Sequence, residues 1–541
     1  MVIAQNIRSG LISLVLGVSS VFFSFSVTAA ERITFNYPPF GQFDIKVADL
    51  AAFATKGEIT AELAYYLNRL PPQQLARLPE ILSTPLEFDP LTIAKFSNSS
   101  VGEVVLENFG KGIRGDVKRN GFYALRGAII AAAFDDQGLT VINLLRQFPL
   151  STVYLDLKVL TQYIQRGTIL SKNRAAIDQA WFADDEHQQG TNIPNNYHAK
   201  LERLPDLKIP GKYTWQKQTI AYNNPRRPNP GYFDLYQPST EQPVPLIVIS
   251  HGVASSRLTF AYLAKHLVSH GFAVAVIEHN DISLNKFDRF LTGQERFPEP
   301  NNLIDQPLDV KYVLDQLESK SKINLQQVGI IGQSFGGYTS LALAGGELIA
   351  DQTATECDPE NYRDVVLDLS SLAKCTLNGL NQPRIQLKDP RIKAAIAINP
   401  MGKIFGPAGM SSIQVPTMLI GGTNDLIMPP VTEQIRPFSW LDGNLDKYLV
   451  LFKPGTHFSF LQEGLGVLPV PDTAVGPSPT SAYPALKTLS TAFFKVYLAQ
   501  QPEYQTYLQS DRLNQISNNA FELSIIRSLT TTQLEEIVNN N

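Results

Sequence analysis

Short apolar runs alternate with amphipathic stretches over the C-terminal two thirds of the chain. The amphipathic stretches Phe260–His270 and Leu303–Leu317 place apolar residues at helical spacing. The apolar runs are four to six residues long, which is the length of buried strands, and they lie at 246–249, 272–277, 328–331, 394–398, 417–420 and 448–452. Strands that alternate with helices predict a mostly parallel sheet with helices on both faces.

The N-terminal part of the chain has a different pattern. Over residues 31–165, apolar residues recur at helical spacing in several stretches, and prolines break these stretches into short pieces. This pattern predicts a small all-α domain. The polar segment 166–212 predicts a linker, and Tyr213–Tyr222 with Gly231–Tyr236 predicts the first hairpin of the sheet. Residues 516–541 are expected to form a C-terminal tail.

A serine follows one of the predicted strands in a glycine-rich turn. Ser334 is the centre of Gly-Gln-Ser-Phe-Gly at 332–336, and a helical stretch comes directly after it. Strand, G-x-S-x-G turn and helix form the context of a nucleophile elbow, in which small neighbours let a serine hydroxyl stand clear of the sheet. The alternative is a plain glycine-rich turn, because the bare motif arises by chance in roughly one chain in seven of this length.

A base and an acid follow the serine in the order that this architecture requires. The chain has seven histidines, and only His457 lies after Ser334. Asp425 follows a buried strand and a glycine turn, from which a carboxylate can reach the Nδ1 side of that histidine. A turn or N-cap role is the alternative for Asp425. Its downstream rivals follow less clear strands and are Asp389, Asp442 and Asp446.

The strand at 246–249 ends in Ser-His-Gly, residues 250–252. This matches the loop that supplies the second N–H of an oxyanion hole. We expect the N–H groups of Val253 and Phe335 to bind the oxyanion, the alternative being an ordinary strand-to-helix turn. The fold class that follows is α/β, with an α/β-hydrolase fold over 213–515 that carries an insertion at 347–390 and is preceded by the all-α domain.

Three segments resemble the platelet-activating-factor acetylhydrolase-like α/β-hydrolases over roughly residues 210–465. They are Ser-His-Gly-Val-Ala-Ser-Ser at 250–256, Ser-His-Gly-Phe-Ala-Val-Ala-Val-Ile-Glu-His-Asn-Asp at 269–281 and Gly-Gln-Ser-Phe-Gly-Gly at 332–337. The resemblance implies hydrolysis of lipid or other acyl esters without a cofactor. By the match to its motifs, it implies Ser334 as nucleophile, His457 as base, and Val253 and Phe335 as oxyanion donors.

The chain departs from that family at two positions. Gln333 stands where the family often has histidine beside the nucleophile. The mammalian lipase of the family takes its acid from the end of the strand that here ends in Asn399, and an amide cannot stabilise an imidazolium as a carboxylate does. Asp425, one strand later, is therefore the expected acid. Residues 31–165 resemble the helical region of unknown function found ahead of hydrolase domains in cyanobacterial proteins.

Composition and charge exclude several classes of protein. With 541 residues, 44% hydrophobic and 18% charged, the chain has the composition of a globular protein of two domains. The net charge of −4 gives no indication of the basic surface that nucleic-acid binding requires. The sequence contains no Walker A motif, no dinucleotide fingerprint and no His/Cys cluster with metal-ligand spacing, so we expect no cofactor and no metal.

Residues 1–30 have the features of a secretory signal. Arg8 lies near the start, Leu11–Val27 is apolar or small, and small-residue cleavage patterns end at Ala29 and Ala30. We expect cleavage and export to the periplasm or the medium. The alternative is an uncleaved anchor, for which seventeen residues rich in Ser and Gly are marginal.

Export would permit a disulfide. The chain has two cysteines, Cys357 and Cys375, and both lie in the insertion at 347–390. Our hypothesis is that they form a disulfide that staples a lid-like insertion. The alternative is a pair of buried free thiols.

These features predict an exported serine esterase or lipase that cleaves lipid or short-acyl esters with Ser334, His457 and Asp425. A serine peptidase or amidase with the same residues is the first rival. The second is a catalytically idle binding protein whose N-terminal domain contacts a membrane or a partner. For residues 31–165, packing of their own core is the plain interpretation, and peripheral membrane contact or a lid role is a hypothesis.

Overall fold

The computed structural model describes residues 29–86, 88–182, 204–291, 301–349, 382–462 and 475–539, together with Gln294, Glu299 and Cys375. The chain divides into two compact units. The first comprises the described residues of Met1–Ile93 together with Phe109–Leu160, and the second comprises Ala94–Asn108 and the described residues of Thr161–Asn541.

Strands and helices are numbered in chain order. The strands are β1 Arg32–Tyr37, β2 Gly41–Lys46, β3 Ile113–Arg114, β4 Thr152–Leu155, β5 Trp215–Tyr222, β6 Gly231–Pro238, β7 Val244–Ser250, β8 Ala273–Glu278, β9 Ile323–Gln333, β10 Glu347–Ile349, β11 Arg384–Gln386, β12 Ile392–Ile398, β13 Thr417–Gly422, β14 Lys447–Lys453 and β15 Glu522–Ile526.

The α-helices up to the end of the predicted linker are α1 Val47–Lys56, α2 Ala61–Leu67, α3 Pro72–Ser83, α4 Pro90–Ser97, α5 Ser100–Gly112, α6 Phe122–Phe134, α7 Val141–Arg146 and α8 Leu157–Phe182. The later ones are α9 Ala261–Ser269, α10 Leu284–Leu291, α11 Asn302–Leu317, α12 Phe335–Ala344, α13 Gly406–Ser411, α14 Arg436–Trp440, α15 Tyr483–Tyr497, α16 Ser510–Ile516 and α17 Thr531–Asn539.

The N-terminal unit is not all-helical, and the prediction of a small all-α domain is wrong. Its four strands form a sheet in the order β2-β1-β4-β3. In the hairpin of β1 and β2, Ile33 pairs with Ile45 and Phe35 pairs with Phe43. β1 also pairs in parallel with β4, more than one hundred residues later. Ile33 with Phe35, and Phe43 with Ile45, alternate with polar residues, so a strand pattern for the hairpin was present in the sequence and was overlooked. The pairing of β1 with the distant β4 leaves no such local pattern.

The second unit is built on a nine-stranded sheet in the order β15-β14-β13-β12-β9-β7-β8-β6-β5. The six neighbouring strands in the middle of this sheet run parallel, and they are β14, β13, β12, β9, β7 and β8. Antiparallel pairs lie at the two ends, and the sheet is therefore mostly parallel, as predicted. Leu246 and Val248 of β7 belong to one hydrophobic core, while Ile247 and Ile249 belong to the other. The strand sequences are apolar throughout because both faces of the sheet are buried.

Two predicted boundaries differ from the structure. Helix α8 continues to Phe182, beyond the expected end of the N-terminal domain at residue 165. Residues 516–541 are not a free tail, because β15 pairs with β14 at the edge of the sheet and Leu534 of α17 is buried in the core. The five residues of β15 form only one antiparallel pairing, and so short an edge strand leaves a weak sequence signal.

The insertion at 347–390 begins and ends in a two-stranded antiparallel sheet. β10 pairs with β11, and Leu348 lies opposite Ile385. Cys375 is disulfide-bonded, whereas Cys357 and most of the insertion lie outside the described residues, so the pairing stays a prediction. Residues 1–28 also lie outside the described part. A search of the described helices found none with the length and apolar character needed to cross a membrane.

An ion pair between the half-buried Arg227 and the buried Asp309 ties the turn between β5 and β6 to helix α11. Arg227 donates to Asp309 at 2.7 Å and to Asp281 at 2.8 Å, and Asn224 donates to Asp309 at 2.7 Å. Burial alone raises the pKa of Asp309, but hydrogen bonds from His279 and Arg227 outweigh it and hold this pKa below its ordinary value. The carboxylate therefore stabilises the fold above its unfolded-state pKa of about 3.9, and the contribution is lost as pH falls through the lowered folded-state pKa.

We predict that Arg227→Met lowers the free energy of unfolding at pH 7 by about 3 kcal/mol, since it leaves the buried carboxylate of Asp309 without its cation. Urea unfolding measures this loss. Arg226→Met is the matched control, because Arg226 pairs with Asp305 but its side chain is 43% exposed. The control should cost less than about 1 kcal/mol. Equal losses in the two variants would contradict the assignment of Arg227 as the cation that compensates the buried carboxylate of Asp309.

Candidate active site

Ser334 lies on a sharp turn between β9 and α12, as the motif predicted. Its backbone dihedrals are φ 57° and ψ −118°, which are rare for a residue with a side chain. The N–H of Ser334 donates to the carbonyl oxygen of Ile398 on the neighbouring strand β12, at 2.8 Å. The turn is therefore fixed to the end of the sheet, in the strand–turn–helix geometry of a nucleophile elbow.

The glycines around Ser334 are required by close packing. A Cβ atom on Gly332 would lie 2.1 Å from the carbonyl oxygen of Gly336. A Cβ on Gly336 would in turn lie 2.1 Å from the carbonyl oxygen of Ser250, at the end of β7. Main-chain atoms cannot move aside as the end of a flexible side chain can. Positions 332 and 336 therefore admit only glycine, and the elbow is pressed against the adjacent strand end.

Asp425 and His457 are joined by a short hydrogen bond. Oδ2 of Asp425 lies 2.8 Å from Nδ1 of His457, and both side chains are buried. Oδ1 of Asp425 accepts the main-chain N–H groups of Ile427 and Met428 at 2.9 and 2.8 Å. One oxygen thus caps the turn, which was the alternative interpretation of this residue, while the other binds the imidazole. The turn orients the carboxylate toward the ring.

The amide side chains of Gln333 and Asn399 hold the main chain of the histidine loop. Asn399 donates from Nδ2 to the carbonyl oxygen of Thr456 at 3.2 Å and to that of His457 at 3.5 Å. Its Oδ1 accepts the N–H of Gly422, at the end of β13, at 3.1 Å. Gln333 donates to the carbonyl oxygen of His457 at 3.2 Å. The two departures from the family pattern are therefore structural supports of His457.

The loop after β7 lies against the elbow. A Cβ on Gly252 would lie 2.9 Å from Cβ of Ser334, so the loop and the serine are in close contact. Ala254 has φ 55°, and its N–H donates to the carbonyl oxygen of Ile282 at 2.8 Å. Over the part of the chain that the structure describes, the N–H groups of Val253 and Phe335 donate to no other residue. Both donors remain available to a ligand.

Backbone strain is concentrated at this edge of the sheet. Four residues other than glycine have positive φ in the described segments, and three of them are Ala254, Ser334 and Asn399. They follow the carboxyl ends of β7, β9 and β12, which are neighbours in the sheet. Strained backbone conformations cluster at active sites and ligand sites. The strain, the buried Asp–His pair and the two N–H groups therefore mark one candidate site.

The sheet brings together at its carboxyl edge the five residues predicted to carry catalysis and oxyanion binding. Val253 follows β7, Phe335 and Ser334 follow β9, Asp425 follows β13 and His457 follows β14. A hydroxyl on a strained turn, an imidazole paired with a carboxylate, and two N–H donors are the parts needed for acyl transfer. Among the described residues, no group of three or more His, Cys, Asp and Glu side chains is arranged to hold a metal ion.

Two family models match the chain. The model described as "Alpha/beta hydrolase of unknown function (DUF1400)" matches residues 29–156, and the model described as "Platelet-activating factor acetylhydrolase, isoform II" matches residues 234–295. These matches confirm both resemblances expected from the sequence. The first covers the N-terminal region that resembled a region of unknown function, and the second covers the loop after β7 and strand β8.

Curated relatives are similar over parts of the chain. Platelet-activating factor acetylhydrolase of Bos taurus is 30% identical over 205 residues, and the match covers 29% of this chain and 43% of that protein. Quorum-quenching protein AidA of Acinetobacter baumannii is 25% identical over 294 residues, 52% of this chain and 90% of that protein. Cutinase 2 of Thermobifida cellulosilytica is 25% identical over 230 residues, 42% and 64% of the two chains.

The match thus spans less than half of the bovine relative and most of the bacterial quorum-quenching protein. The parallel sheet, the elbow at Ser334 and the two family models agree with one another. The chain has the α/β-hydrolase fold, and over part of its length it is similar to the platelet-activating factor acetylhydrolases.

Proposed function

We propose that this protein is an exported serine hydrolase that cleaves carboxylic esters with Ser334, His457 and Asp425. The observation that carries the proposal is the 2.8 Å hydrogen bond between Asp425 and Nδ1 of His457, at the same sheet edge as the strained Ser334. A carboxylate on Nδ1 keeps the proton of the neutral ring there and makes Nε2 the basic atom. It also stabilises the imidazolium that forms when Nε2 takes a proton.

The reaction proceeds through an acyl-enzyme. Oγ of Ser334 attacks the ester carbonyl carbon while Nε2 of His457 takes the hydroxyl proton. The carbonyl oxygen becomes an oxyanion, which the N–H groups of Val253 and Phe335 bind. The tetrahedral intermediate expels the alcohol, which receives the proton from His457. Water, deprotonated by the same imidazole, then attacks the acyl-enzyme and releases the carboxylic acid and the serine.

Helix α12 adds to the stabilisation of the oxyanion. Phe335 is the first residue of this helix, so its N–H belongs to the unpaired N-terminal turn, where the helix dipole carries partial positive charge. A negative oxygen is favoured at this point by both the hydrogen bond and the dipole. The full negative charge exists only in the tetrahedral intermediate, so these contacts lower the barrier more than they bind the substrate.

Three exposed leucines support an apolar acyl or lipid ester as the substrate. Leu258, Leu284 and Leu426 follow the carboxyl ends of β7, β8 and β13, and they are 39%, 40% and 73% exposed. Ligands of open α/β sheets bind at the carboxyl ends of the strands, which is the edge where Ser334 lies. The names of the relatives, an acetylhydrolase and cutinases, favour ester over amide chemistry.

The proposal includes export because residues 1–30 have the features of a secretory signal. These features are a basic start, an apolar stretch and a small-residue cleavage pattern. A mature protein that begins near residue 30 and is recovered from the periplasm or the medium would support it. Peripheral membrane contact by the N-terminal unit stays a hypothesis.

We predict that a fluorophosphonate labels the wild-type protein at Ser334, and that Ser334→Ala loses both the label and at least about 10,000-fold of the turnover of p-nitrophenyl esters. Mass spectrometry of the labelled peptide and kinetics over a series of acyl lengths measure this. An anilide with the same acyl chain tests the peptidase or amidase alternative. A folded wild-type protein that neither labels nor turns over any ester would reject the proposal and favour an idle site.

We further predict that Asp425→Asn lowers kcat by about 1,000- to 10,000-fold, and that a carboxylate at position 399 does not restore it. The side chain of Asn399 reaches the main-chain carbonyl groups of Thr456 and His457, so an aspartate there would face acceptors. Kinetics of the double variant Asn399→Asp/Asp425→Asn test this, with Asn399→Asp as control. Recovery of activity in the double variant would place the acid function at the end of β12.

A further inference from the structure

Two buried histidines lie behind the loop that carries Val253. His251 follows β7 and His279 follows β8, and neither side chain is exposed to solvent. Their ring centroids are 5.1 Å apart. The proposed chemistry uses neither ring, since the base is His457. Buried polar side chains are costly unless they form hydrogen bonds, so the hydrogen bonds of these two histidines should indicate what the rings do.

The hydrogen bonds of His251 fix its tautomer. The main-chain N–H of His279 donates to Nε2 of His251 at 3.0 Å, so Nε2 is an acceptor and carries no proton. The proton of the neutral ring must then lie on Nδ1, which is 2.8 Å from the carbonyl oxygen of Gly252 and donates to it. Burial, together with the nearby His279, lowers the pKa of His251 to about 3. The ring is therefore neutral wherever the enzyme is expected to work.

The carbonyl group of Gly252 and the N–H of Val253 belong to one peptide unit. A trans peptide is planar, and its C=O and N–H point in opposite directions. The cis peptide bonds of the described residues both precede proline, so this unit is trans. When Nδ1 of His251 holds the carbonyl oxygen, it also sets the direction in which the N–H of Val253 points. Rotation of the peptide would break the bond to His251.

We propose that His251 is a positioning residue of the oxyanion site, because its Nδ1–H holds the Gly252–Val253 peptide with the Val253 N–H directed to the oxyanion. This inference rests on the proposed function. His251 does not touch the reacting atoms, and it acts through the peptide that it binds. The direction of the Val253 N–H is then set before the substrate arrives, which is the condition for electrostatic stabilisation without reorganisation.

The next shell of contacts holds the two histidines in place. Nε2 of His279 lies 2.9 Å from Oγ of Ser250, and Nδ1 lies 3.5 Å from Oδ2 of Asp309, which Arg227 holds in turn. The side chain of His279 is thus anchored to helix α11, which helps to keep its N–H beside His251. Glu278 lies 3.7 Å from Nε2 of His251.

The other side of the peptide is also fixed, since Ala254 donates to the carbonyl oxygen of Ile282 at 2.8 Å. The unit between Gly252 and Val253 can rotate without loss of that bond. His251 supplies the bond that prevents this rotation.

The test compares His251→Leu with His251→Asn by steady-state kinetics. Leucine fills the space without a donor, whereas the amide of asparagine can place a donor near the position of Nδ1. We expect kcat to fall about 10- to 100-fold in His251→Leu with KM within about twofold, which is part of the loss seen when an oxyanion donor is removed. His251→Asn should recover most of kcat. Wild-type kcat in His251→Leu, or equal losses in both variants, would overturn the proposal.

His270→Leu is the matched control for the loss of a buried histidine. Nε2 of His270 lies 3.1 Å from the carbonyl oxygen of Ile209, and His270 ends helix α9 rather than a strand at the site. Its kcat should stay within about twofold of the wild type, and a loss as large as that of His251→Leu would overturn the proposal. If His251→Leu does not fold, His251→Gln takes its place, since glutamine supplies an acceptor near Nε2 but no donor to Gly252.

A crystal structure of the His251→Leu protein, or of His251→Gln, separates this inference from the proposed function. A Gly252–Val253 peptide rotated away from its wild-type orientation would support the positioning role, and an unchanged peptide would overturn it, whether or not the wild type is an esterase. Absence of label and turnover in the wild type would reject the esterase proposal alone.

Discussion

The geometry of the site depends on the close packing of the turn at Ser334 against the end of the neighbouring strand β7. The main chain of the elbow touches that of β7 so closely that position 336 has no room for a Cβ atom, and position 332 has none because of the turn itself. At this contact Ser334 has a positive φ, and the loop of Gly252 lies against it. The strain is maintained because the sheet below is buried on both faces and cannot shift.

Side chains that take no part in the proposed chemistry hold the loops that do. Asn399 and Gln333 bind the carbonyl groups of the histidine loop, and His251 binds the carbonyl group of Gly252. Each bond satisfies a buried main-chain group and fixes a peptide at the same time. The loop that carries Asp425 is held by local bonds, because the carboxylate of Asp425 accepts two main-chain N–H groups of the turn that follows it. The proposed site is preorganised mainly by hydrogen bonds to the backbone.

The parts of the site that follow strands were predictable from sequence, and the parts that depend on distant contacts were not. Ser334, Asp425 and His457 each come after an apolar run, in the order that the fold requires, and the structure brings them to one edge. Asn399 and Gln333 were visible only as departures from a family pattern, because their partners lie 57 and 124 residues further along the chain. In the N-terminal sheet the pairing of β1 with β4 was unpredictable for the same reason, whereas the hairpin of β1 and β2 had a local alternating pattern that was overlooked.

The most direct test of the account is a crystal structure of the protein with a phosphonate bound covalently to Ser334. The phosphonyl oxygen stands in for the oxyanion of the tetrahedral intermediate. We predict that this oxygen lies about 2.7–3.1 Å from the main-chain nitrogens of both Val253 and Phe335, with Nε2 of His457 within hydrogen-bonding distance of Oγ. A phosphonate on Ser334 whose oxygen points to solvent, with neither nitrogen in reach, would contradict it.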